Sequence, residues 1–230
     1  VNGKMEVFMQ PSGRSNGLYF DKSGALIACA DEKNELWRID VKTKQHTVLA
    51  KDYDGKLFNG PNDAWIRPDG GIYFTDPFYK PPYWQRGPME QPSQGVYFLS
   101  TDGKLARVEG DLQQANGIIG TPDGKTLYVA DIKAGKTWKY DIQPDGSLTG
   151  KRLFCDLGSD GMTIDTCGNV YLTGNGVTVF NPEGRKIANI PIPQQRWTAN
   201  VTFGGKDRKT LFITAGTGLY ALKMNACGVQ

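Results

Sequence analysis

A unit of two short β-rich runs joined by a tight turn recurs five times along this chain of 230 residues. Each copy opens on a polar residue, and the copies start 46, 54, 44 and 40 residues apart. The five openers are Asn16, Asn62, Asn116, Asp160 and Asn200. A period of about 40–45 residues with several strands in each copy is typical of the blades of a β-propeller. The repeat therefore predicts an all-β propeller.

The rest of the sequence agrees with this fold class. Turn residues such as Ser23-Gly24, Asp69-Gly70 and Asp123-Gly124 separate the β-rich runs, and no segment has sustained helical periodicity. The formal net charge is +3 with acids and bases mixed along the chain, so a nucleic-acid-binding surface is not expected. The apolar runs are too short to cross a membrane, so no membrane partner is expected either.

Propeller geometry predicts that the five openers lie close together. The innermost strand of every blade runs along the central channel, so residues at equivalent positions of the repeat face one another around it. A ring of amide and carboxylate oxygens would suit Ca²⁺, Mg²⁺ or Mn²⁺. The alternative is that Asn and Asp simply begin turns at the starts of strands, which requires no ligand.

The reactive residues limit the chemistry. The one histidine, His46, lies in the polar stretch KTKQHTVLA, which we assign to an exposed outer strand. A Ser-His-Asp triad and a histidine-rich zinc site are therefore not expected. The four cysteines form no CxxC pair, and free thiols are favoured over disulfides. Chemistry performed by a carboxylate and a metal ion remains.

Four ordered blocks of the sequence resemble the gluconolactonase family, which includes senescence marker protein and luciferin-regenerating enzyme. The blocks are NGPNDAWIRPDGGIYFTDP, ANGIIGTPDGKTLYVAD, SDGMTIDTCGNVYLTGNGVTVFNPEG and ANVTFGGKDRKTLFITAGTGLYAL. The resemblance covers essentially the whole chain. It implies a six-bladed propeller with one divalent cation in the channel, Ca²⁺ being favoured over Mg²⁺, Mn²⁺ and Zn²⁺. It also implies a hydrolase that opens lactones, with sugar lactones as the favoured substrates.

The resemblance also assigns residues to the site. Asn116 and Asp160 match two ligands of the metal ion, and Asp160 also matches the group that acts as general acid and base. Asp76 matches a metal ligand in some members, with a carboxylate that caps the end of its strand as an equal alternative. Asn62 matches a channel residue that contacts substrate or metal, and the adjacent Asp63 is included as a substrate-binding residue.

The aromatic and proline-rich segment 76–95 is too irregular for a strand. Long irregular loops in compact domains are often functional, so a lid over the channel mouth is one interpretation of this segment. Tyr83 and Arg86 are then expected to contact the substrate, together with Tyr79 and Trp84. A surface loop packed by its own aromatic residues is the alternative.

One block of the family is not found. The family's first blade opens with Glu-Gly-Pro, whose glutamate is a metal ligand, and no such block occurs here. Residues 1–230 are therefore expected to form a single propeller domain that lacks the first blade, rather than a five-bladed relative. An open ring would expose unpaired strand edges, so a monomer or a weak dimer is expected. Trp197 is expected to pack between blades.

Two other functions stay open. A propeller can serve as a non-catalytic binding scaffold, because the fold does not fix the function. The same carboxylate and metal chemistry also suits an esterase that acts on phosphotriesters or other non-lactone esters. The cytoplasm and the periplasm are both compatible with the sequence.

Overall fold

Antiparallel β-sheets make up almost all of the regular structure in the computed structural model, which describes residues 6–80, 87–192 and 197–229. Five sheets follow one another along the chain, and each consists of consecutive strands. They form a five-blade β-propeller arrangement, which confirms the predicted fold class. Within the described residues the only helical element is a single 3₁₀ turn, Asp31–Lys33, and none is long and apolar enough to cross a membrane.

The strands pair in simple up-and-down order. The first blade contains β1 (Ser15–Phe20), β2 (Leu26–Ala30), β3 (Glu35–Ile39) and β4 (His46–Ala50). A hairpin of β5 (Asp52–Tyr53) and β6 (Lys56–Leu57) leads to the second blade, with β7 (Ala64–Ile66), β8 (Ile72–Thr75), β9 (Val96–Leu99) and β10 (Leu105–Glu109). The third blade contains β11 (Ala115–Gly120), β12 (Thr126–Asp131), β13 (Lys136–Ile142) and β14 (Leu148–Cys155).

The last two blades differ in their number of strands. The fourth contains β15 (Met162–Ile164), β16 (Val170–Gly174), β17 (Gly176–Phe180) and β18 (Lys186–Ile190). The fifth contains only β19 (Thr198–Gly204), β20 (Thr210–Ala215) and β21 (Gly218–Lys223). The repeat located the first three strands of every blade. The fourth strands are less visible in the sequence because they are mostly exposed, as in β18, and carry no apolar alternation.

The hydrophobic core is divided among the interfaces between blades. Ile27 and Leu36 of the first blade pack with Phe58, Phe74 and Tyr97 near the second. A second cluster lies between the fourth and fifth blades, where Tyr171, Val177, Val179, Val201, Phe203, Leu211 and Ile213 are buried together. The largest cluster joins the second, third and fourth blades. Successive residues of a strand point to opposite faces of the sheet, so one strand contributes to the contacts with both neighbouring blades. This explains why strands such as β2, β8, β9 and β17 are buried at every position.

Glycine follows the opener where adjacent inner strands approach most closely. The Gly17 N–H donates to the carbonyl oxygen of Asn62 at 2.7 Å, and the Gly161 N–H donates to that of Ala199 at 2.8 Å. A Cβ atom at Gly117 would collide with the Asp160 backbone, and one at Gly161 would collide with the Asn200 side chain. The Asn-Gly and Asp-Gly pairs of the repeat are thus required by contact between blades as well as by turn formation.

The ring has a gap between its fifth and first blades. A cavity of about 1220 Å³ lies there, bounded by Leu18 and Phe20 of β1 and by Thr202, Phe212 and Leu219 of the fifth blade. In the described part of the chain β21 pairs only with β20, and residues 6–9 belong to no strand. The chain ahead of β1 therefore does not complete the fifth sheet within these residues.

Candidate active site

Four of the five openers line one cavity at the channel mouth. Its volume is about 680 Å³, and it is lined by Asn16, Asn62, Asn116, Asp160, Arg14, Ser15, Asp31, Tyr79, Ile132 and Trp197. Ala199 takes the opener position of the fifth blade, because its carbonyl oxygen accepts the Gly161 N–H as that of Asn62 accepts the Gly17 N–H. The predicted fifth opener, Asn200, is one residue further along, at the position equivalent to Asp63, and it does not line the cavity. Its Oδ1 accepts a hydrogen bond from the adjacent Val201 N–H at 2.8 Å. The site is therefore built from the inner strands of four blades.

Asn116 lines this cavity and contains a buried oxygen without a hydrogen-bond partner among the described residues. The residue is 2% exposed, and its Nδ2 donates a hydrogen bond of 2.8 Å to the Tyr79 hydroxyl oxygen. Because Nδ2 points to Tyr79, Oδ1 points away from it, and this buried oxygen has no hydrogen-bond partner among the described residues. A buried polar atom without a partner costs about 1–3 kcal/mol, so such atoms often mark a ligand site. Burial raises the pKa of Tyr79 to about 12, so its hydroxyl stays protonated.

Asp160 is one of the two carboxylates, with Asp31, among the described residues that line the cavity. Its Oδ2 accepts a hydrogen bond of 2.9 Å from the indole N–H of Trp197. Burial raises the pKa of Asp160 above its usual range, and hydrogen bonds from Trp197 and Asn116 offset part of that rise. A buried carboxylate with a raised pKa is a better proton acceptor than an exposed one.

The expected position of Trp197 is wrong. The side chain is 47% exposed and lines the cavity instead of packing between two blades. Trp197 directly precedes β19, the inner strand of the fifth blade, and therefore lies at the channel mouth, where that strand begins. The apolar character of tryptophan suggested core packing, whereas its indole N–H requires a polar partner, which Asp160 provides.

Asp63 occupies the position that glycine takes in the first, third and fourth repeats. Its Oδ1 accepts from the Ala64 N–H at 2.9 Å, and its Oδ2 accepts from the Ile118 N–H at 3.3 Å. Burial raises the pKa of Asp63 to about 7; the two amides oppose this rise, and the charge of Asp160 adds to it. Asp63 connects the second and third blades, and it is not among the residues that line the cavity.

Asp76 is bound by the backbone and lies away from the cavity. It is 0% exposed, and its two carboxylate oxygens accept the N–H groups of Asn59 at 2.9 Å and Gly60 at 2.8 Å. Asp131 holds the chain in the same way in the third blade. These two carboxylates hold the backbone of the segments that lead into the second and third blades. Asp76 is therefore not among the metal ligands proposed below.

Most of the sequence also matches a known family. Residues 1–217 match the family model described as the SMP-30/gluconolactonase/LRE-like region. The chain belongs to this family. A curated relative, the gluconolactonase of Zymomonas mobilis, is 29% identical over 252 aligned positions, which cover 97% of this chain and 70% of the relative.

Two solved structures of the family resemble the present one. The first is described as a candidate gluconolactonase and superposes with a TM-score of 0.92 at 31% identity, covering 99% of this chain and 80% of that one. The second is a gluconolactonase from Xanthomonas campestris, with a TM-score of 0.87 and 32% identity, covering 95% of this chain and 74% of that one. These matches agree with the family resemblance of the four sequence blocks.

Some predicted residues of this family member cannot be placed. Tyr83, Arg86 and Trp84 lie outside the described residues, and Tyr79 is the member of that segment seen in the cavity. Sequence reasoning missed Arg14, Ser15 and Asp31. A signal was available for Asp31, because the second strand of three repeats ends in aspartate at Asp31, Asp76 and Asp131.

The described residues provide oxygen donors of mixed charge. They contain no group of three or more His, Cys, Asp or Glu side chains that could hold a metal ion. The oxygen donors among the lining residues include the carboxylates of Asp31 and Asp160 and the amides of Asn16, Asn62 and Asn116. This chemistry favours hard cations such as Ca²⁺ over Zn²⁺, which prefers nitrogen and sulfur.

Proposed function

We propose that this protein is a lactone hydrolase whose reaction takes place beside Asp160, with sugar lactones as the substrate class. The observation that carries the proposal is the half-buried Asp160 carboxylate, which accepts a hydrogen bond from Trp197 in a cavity of about 680 Å³. Membership of a family whose relatives are named gluconolactonases supports the choice of lactones.

The proposed reaction needs one proton acceptor and one ester carbonyl. Asp160 accepts a proton from water while the water oxygen attacks the lactone carbonyl carbon. The ring C–O bond then breaks, and Asp160 returns the proton to the leaving alkoxide, which gives the open hydroxy acid. Trp197 positions the carboxylate, Asn62 contacts the substrate, and Tyr79 holds the Asn116 amide.

We include one divalent cation in the proposal, Ca²⁺ being the first candidate. The buried Asn116 Oδ1 without a partner and the Asp160 carboxylate would hold it. When bound, such an ion polarises the lactone carbonyl and stabilises negative charge on its oxygen. The remaining ligands would be water or substrate.

We also propose that one further β-sheet of the same polypeptide closes the ring between the fifth and first blades, completing a single propeller domain. Both walls of the gap carry exposed apolar side chains, including Leu18, Phe20 and Leu219. The candidate gluconolactonase structure with the same fold has one-fifth of its chain outside the match, which is about one blade. Asn16 lines both the gap and the reaction cavity, so the closing sheet would also complete the wall of the site.

A substrate panel tests the proposed activity. Five- and six-membered sugar lactones, an acyclic ester and a phosphotriester are compared by following acid release, each with and without Ca²⁺ after chelation. We expect the lactones to be hydrolysed fastest and chelation to lower the rate. Hydrolysis of the phosphotriester or the acyclic ester alone would indicate an esterase. Binding of sugar acids without turnover of any ester would indicate a scaffold.

A further inference from the structure

A second cavity, of about 520 Å³, lies between the first and second blades. The turns after β1 and β7 border it, whereas Asp160 precedes β15, so the two cavities lie at opposite ends of the inner strands. Among the described residues they share no lining residue. The apolar lining of this second cavity consists of Ile27, Leu49, Ile66, Ile72 and Leu99. A largely apolar cavity of this size is typical of sites that bind small molecules.

The first blade differs from the other four at one position of its second strand. In every blade, strand pairing places one residue of the second strand opposite the third residue after the opener. That residue is aromatic in the second to fifth blades, namely Tyr73, Tyr128, Tyr171 and Phe212. In the first blade it is Ile27, which lines the second cavity. The first blade therefore lacks an aromatic ring that the fold repeats elsewhere.

Tyr73 shows what such a ring contacts at the next interface between blades. Its hydroxyl donates to the Gly146 carbonyl oxygen at 2.7 Å, in the turn between β13 and β14 of the third blade. Gly103 has the equivalent place in the turn between β9 and β10 of the second blade. The φ of Gly146 is 88° and that of Gly103 is 83°, and each N–H donates at 3.0 Å to the carbonyl oxygen three residues before it. The equivalent partner for a ring on the first blade is therefore Gly103, which lines the cavity.

The space in front of these two turns differs. A Cβ atom added at Gly146 would lie 2.0 Å from the ring of Phe98, whereas one added at Gly103 would have no atom of the described residues within 4 Å. Ile27 is 1% exposed, so it forms the floor of the cavity, and the exposed Gly103 lies at its rim. Protein rings fill the interface of the second and third blades, and the interface of the first and second blades has room for a further ring.

The cations at the rim already have partners. Arg38 Nε lies 3.0 Å from a carboxylate oxygen of Asp21, and a terminal guanidinium nitrogen of Arg67 lies 2.8 Å from one of Asp69. The Lys22 ammonium donates to a backbone carbonyl oxygen of the second blade. An anionic ligand would have to compete with these contacts, so a neutral ligand is favoured.

We propose that this cavity binds a neutral phenol, whose ring takes the place that tyrosine side chains have in the second, third and fourth blades. Its hydroxyl donates to the Gly103 carbonyl oxygen, as that of Tyr73 does to Gly146. Burial of the ring against aliphatic side chains provides the affinity, and apolar cavities of about 150 Å³ already bind benzene. Because the site shares none of the described residues that line the cavity of Asp160, the inference does not depend on the proposed reaction.

Calorimetry with p-cresol and toluene tests the site. p-Cresol is the side chain of tyrosine as a free molecule, and toluene has the same ring without the hydroxyl. We expect p-cresol to bind about 2–10-fold more tightly than toluene, since one hydrogen bond contributes this much. Ile27→Tyr should abolish binding, because the protein then supplies the ring itself. Ile187→Tyr, the same change at an exposed position of the outer strand β18, should leave binding unchanged.

NMR on the unmodified protein keeps the test decisive if Ile27→Tyr does not fold. Nuclear Overhauser contacts of p-cresol with the methyl groups of Leu49, Ile72 and Leu99 would support the site. Contacts with Leu219 instead would place the phenol in the gap between the fifth and first blades and overturn the proposal. It would also be overturned by the absence of p-cresol binding, by equal affinity for toluene, or by unchanged binding to a folded Ile27→Tyr protein.

Discussion

The indole nitrogen of Trp197 lies 2.9 Å from Oδ2 of Asp160, although the two residues are 37 positions apart in the chain. The bond joins the start of the fifth blade to the opener of the fourth. It offsets part of the rise in the pKa of Asp160 that burial causes. The proton affinity of the proposed catalytic carboxylate therefore depends on how the fifth blade is seated.

Trp197→Phe should raise the pKa of Asp160, because the substitution removes a hydrogen bond to the ionised form. The acid limb of the kcat/KM profile against pH should therefore move to higher pH. Steady-state rates across the pH range, with folding checked by circular dichroism, measure this shift. An unchanged acid limb would show that Trp197 does not act through Asp160.

Asp160→Asn should abolish most of the activity. Asparagine keeps the shape and an oxygen but cannot accept the proton of water, so kcat should drop by about 10²–10⁴ at saturating cation. Asp156→Asn is a matched control, since Asp156 is exposed and lies four positions away. Near-normal turnover by Asp160→Asn would require another base, and Asp63 would be the next to replace.

Removal of the cation should lower the thermal midpoint of the loaded protein. A ligand present at 100 times its Kd stabilises the folded state by about 2.7 kcal/mol. Asn116→Ala should need more Ca²⁺ to reach the same midpoint, whereas Asn175→Ala, an exposed change of the same kind, should not. Scanning calorimetry over a series of Ca²⁺ concentrations measures this shift. Equal Ca²⁺ dependence of the two variants would exclude Asn116 as a ligand.

Asp63 should make the protein less stable as the pH rises from about 4 to 7. Its pKa is about 7 in the folded chain and near 3.8 when exposed, so in this window the unfolded chain loses its proton first. Folding then becomes less favourable with rising pH, by an order of 2–4 kcal/mol in total. Asp63→Asn, measured by urea unfolding without cation at pH 5 and pH 8, should have a smaller difference than the parent. An equal difference would show that Asp63 does not titrate here.

If the proposed sheet closes the ring, apolar side chains such as Leu18 that are now exposed in the gap should be buried. Leu18 is 52% exposed in the described structure, and Leu153 on the outer strand β14 is 45% exposed. If a sheet fills the gap in the natural polypeptide, Leu18→Glu should lower its free energy of unfolding by about 2 kcal/mol or more, since a charge would be buried. Leu153→Glu should change it by less than about 0.5 kcal/mol. Similar small effects at both positions would mean that the gap stays open to solvent, and a concentration-dependent mass would point to a second copy instead.

The repeat was enough to predict the blades, because strand alternation and Asn-Gly or Asp-Gly pairs are local signals that the fold reuses. It also predicted that Asn16, Asn62, Asn116 and Asp160 would share a cavity. The prediction for Asn200 was wrong by one residue, because Ala199 takes the opener position of the fifth blade and Asn200 follows it, at the position of Asp63 in the second blade.

Other features depended on contacts that no local pattern encodes. Asp76 and Asp160 are both aspartates next to β-strands, yet one accepts two backbone N–H groups and the other an indole N–H. The partner of Trp197 is equally remote in sequence. Such assignments require the three-dimensional arrangement, since the chemical type of the residue is the same in each case.

The glycines that follow the openers determine the size of the cavity at the channel mouth. Neither Gly117 nor Gly161 lines it, but each allows two inner strands to touch where a single methyl group would hold them apart. The spacing of the inner strands around the cavity therefore depends on the absence of a side chain at these two positions. A change from glycine to alanine at either position would push two neighbouring inner strands apart and move Asn116 or Trp197 away from Asp160. If Asp160 is the catalytic group, these glycines are therefore required for activity although they do not contact the substrate.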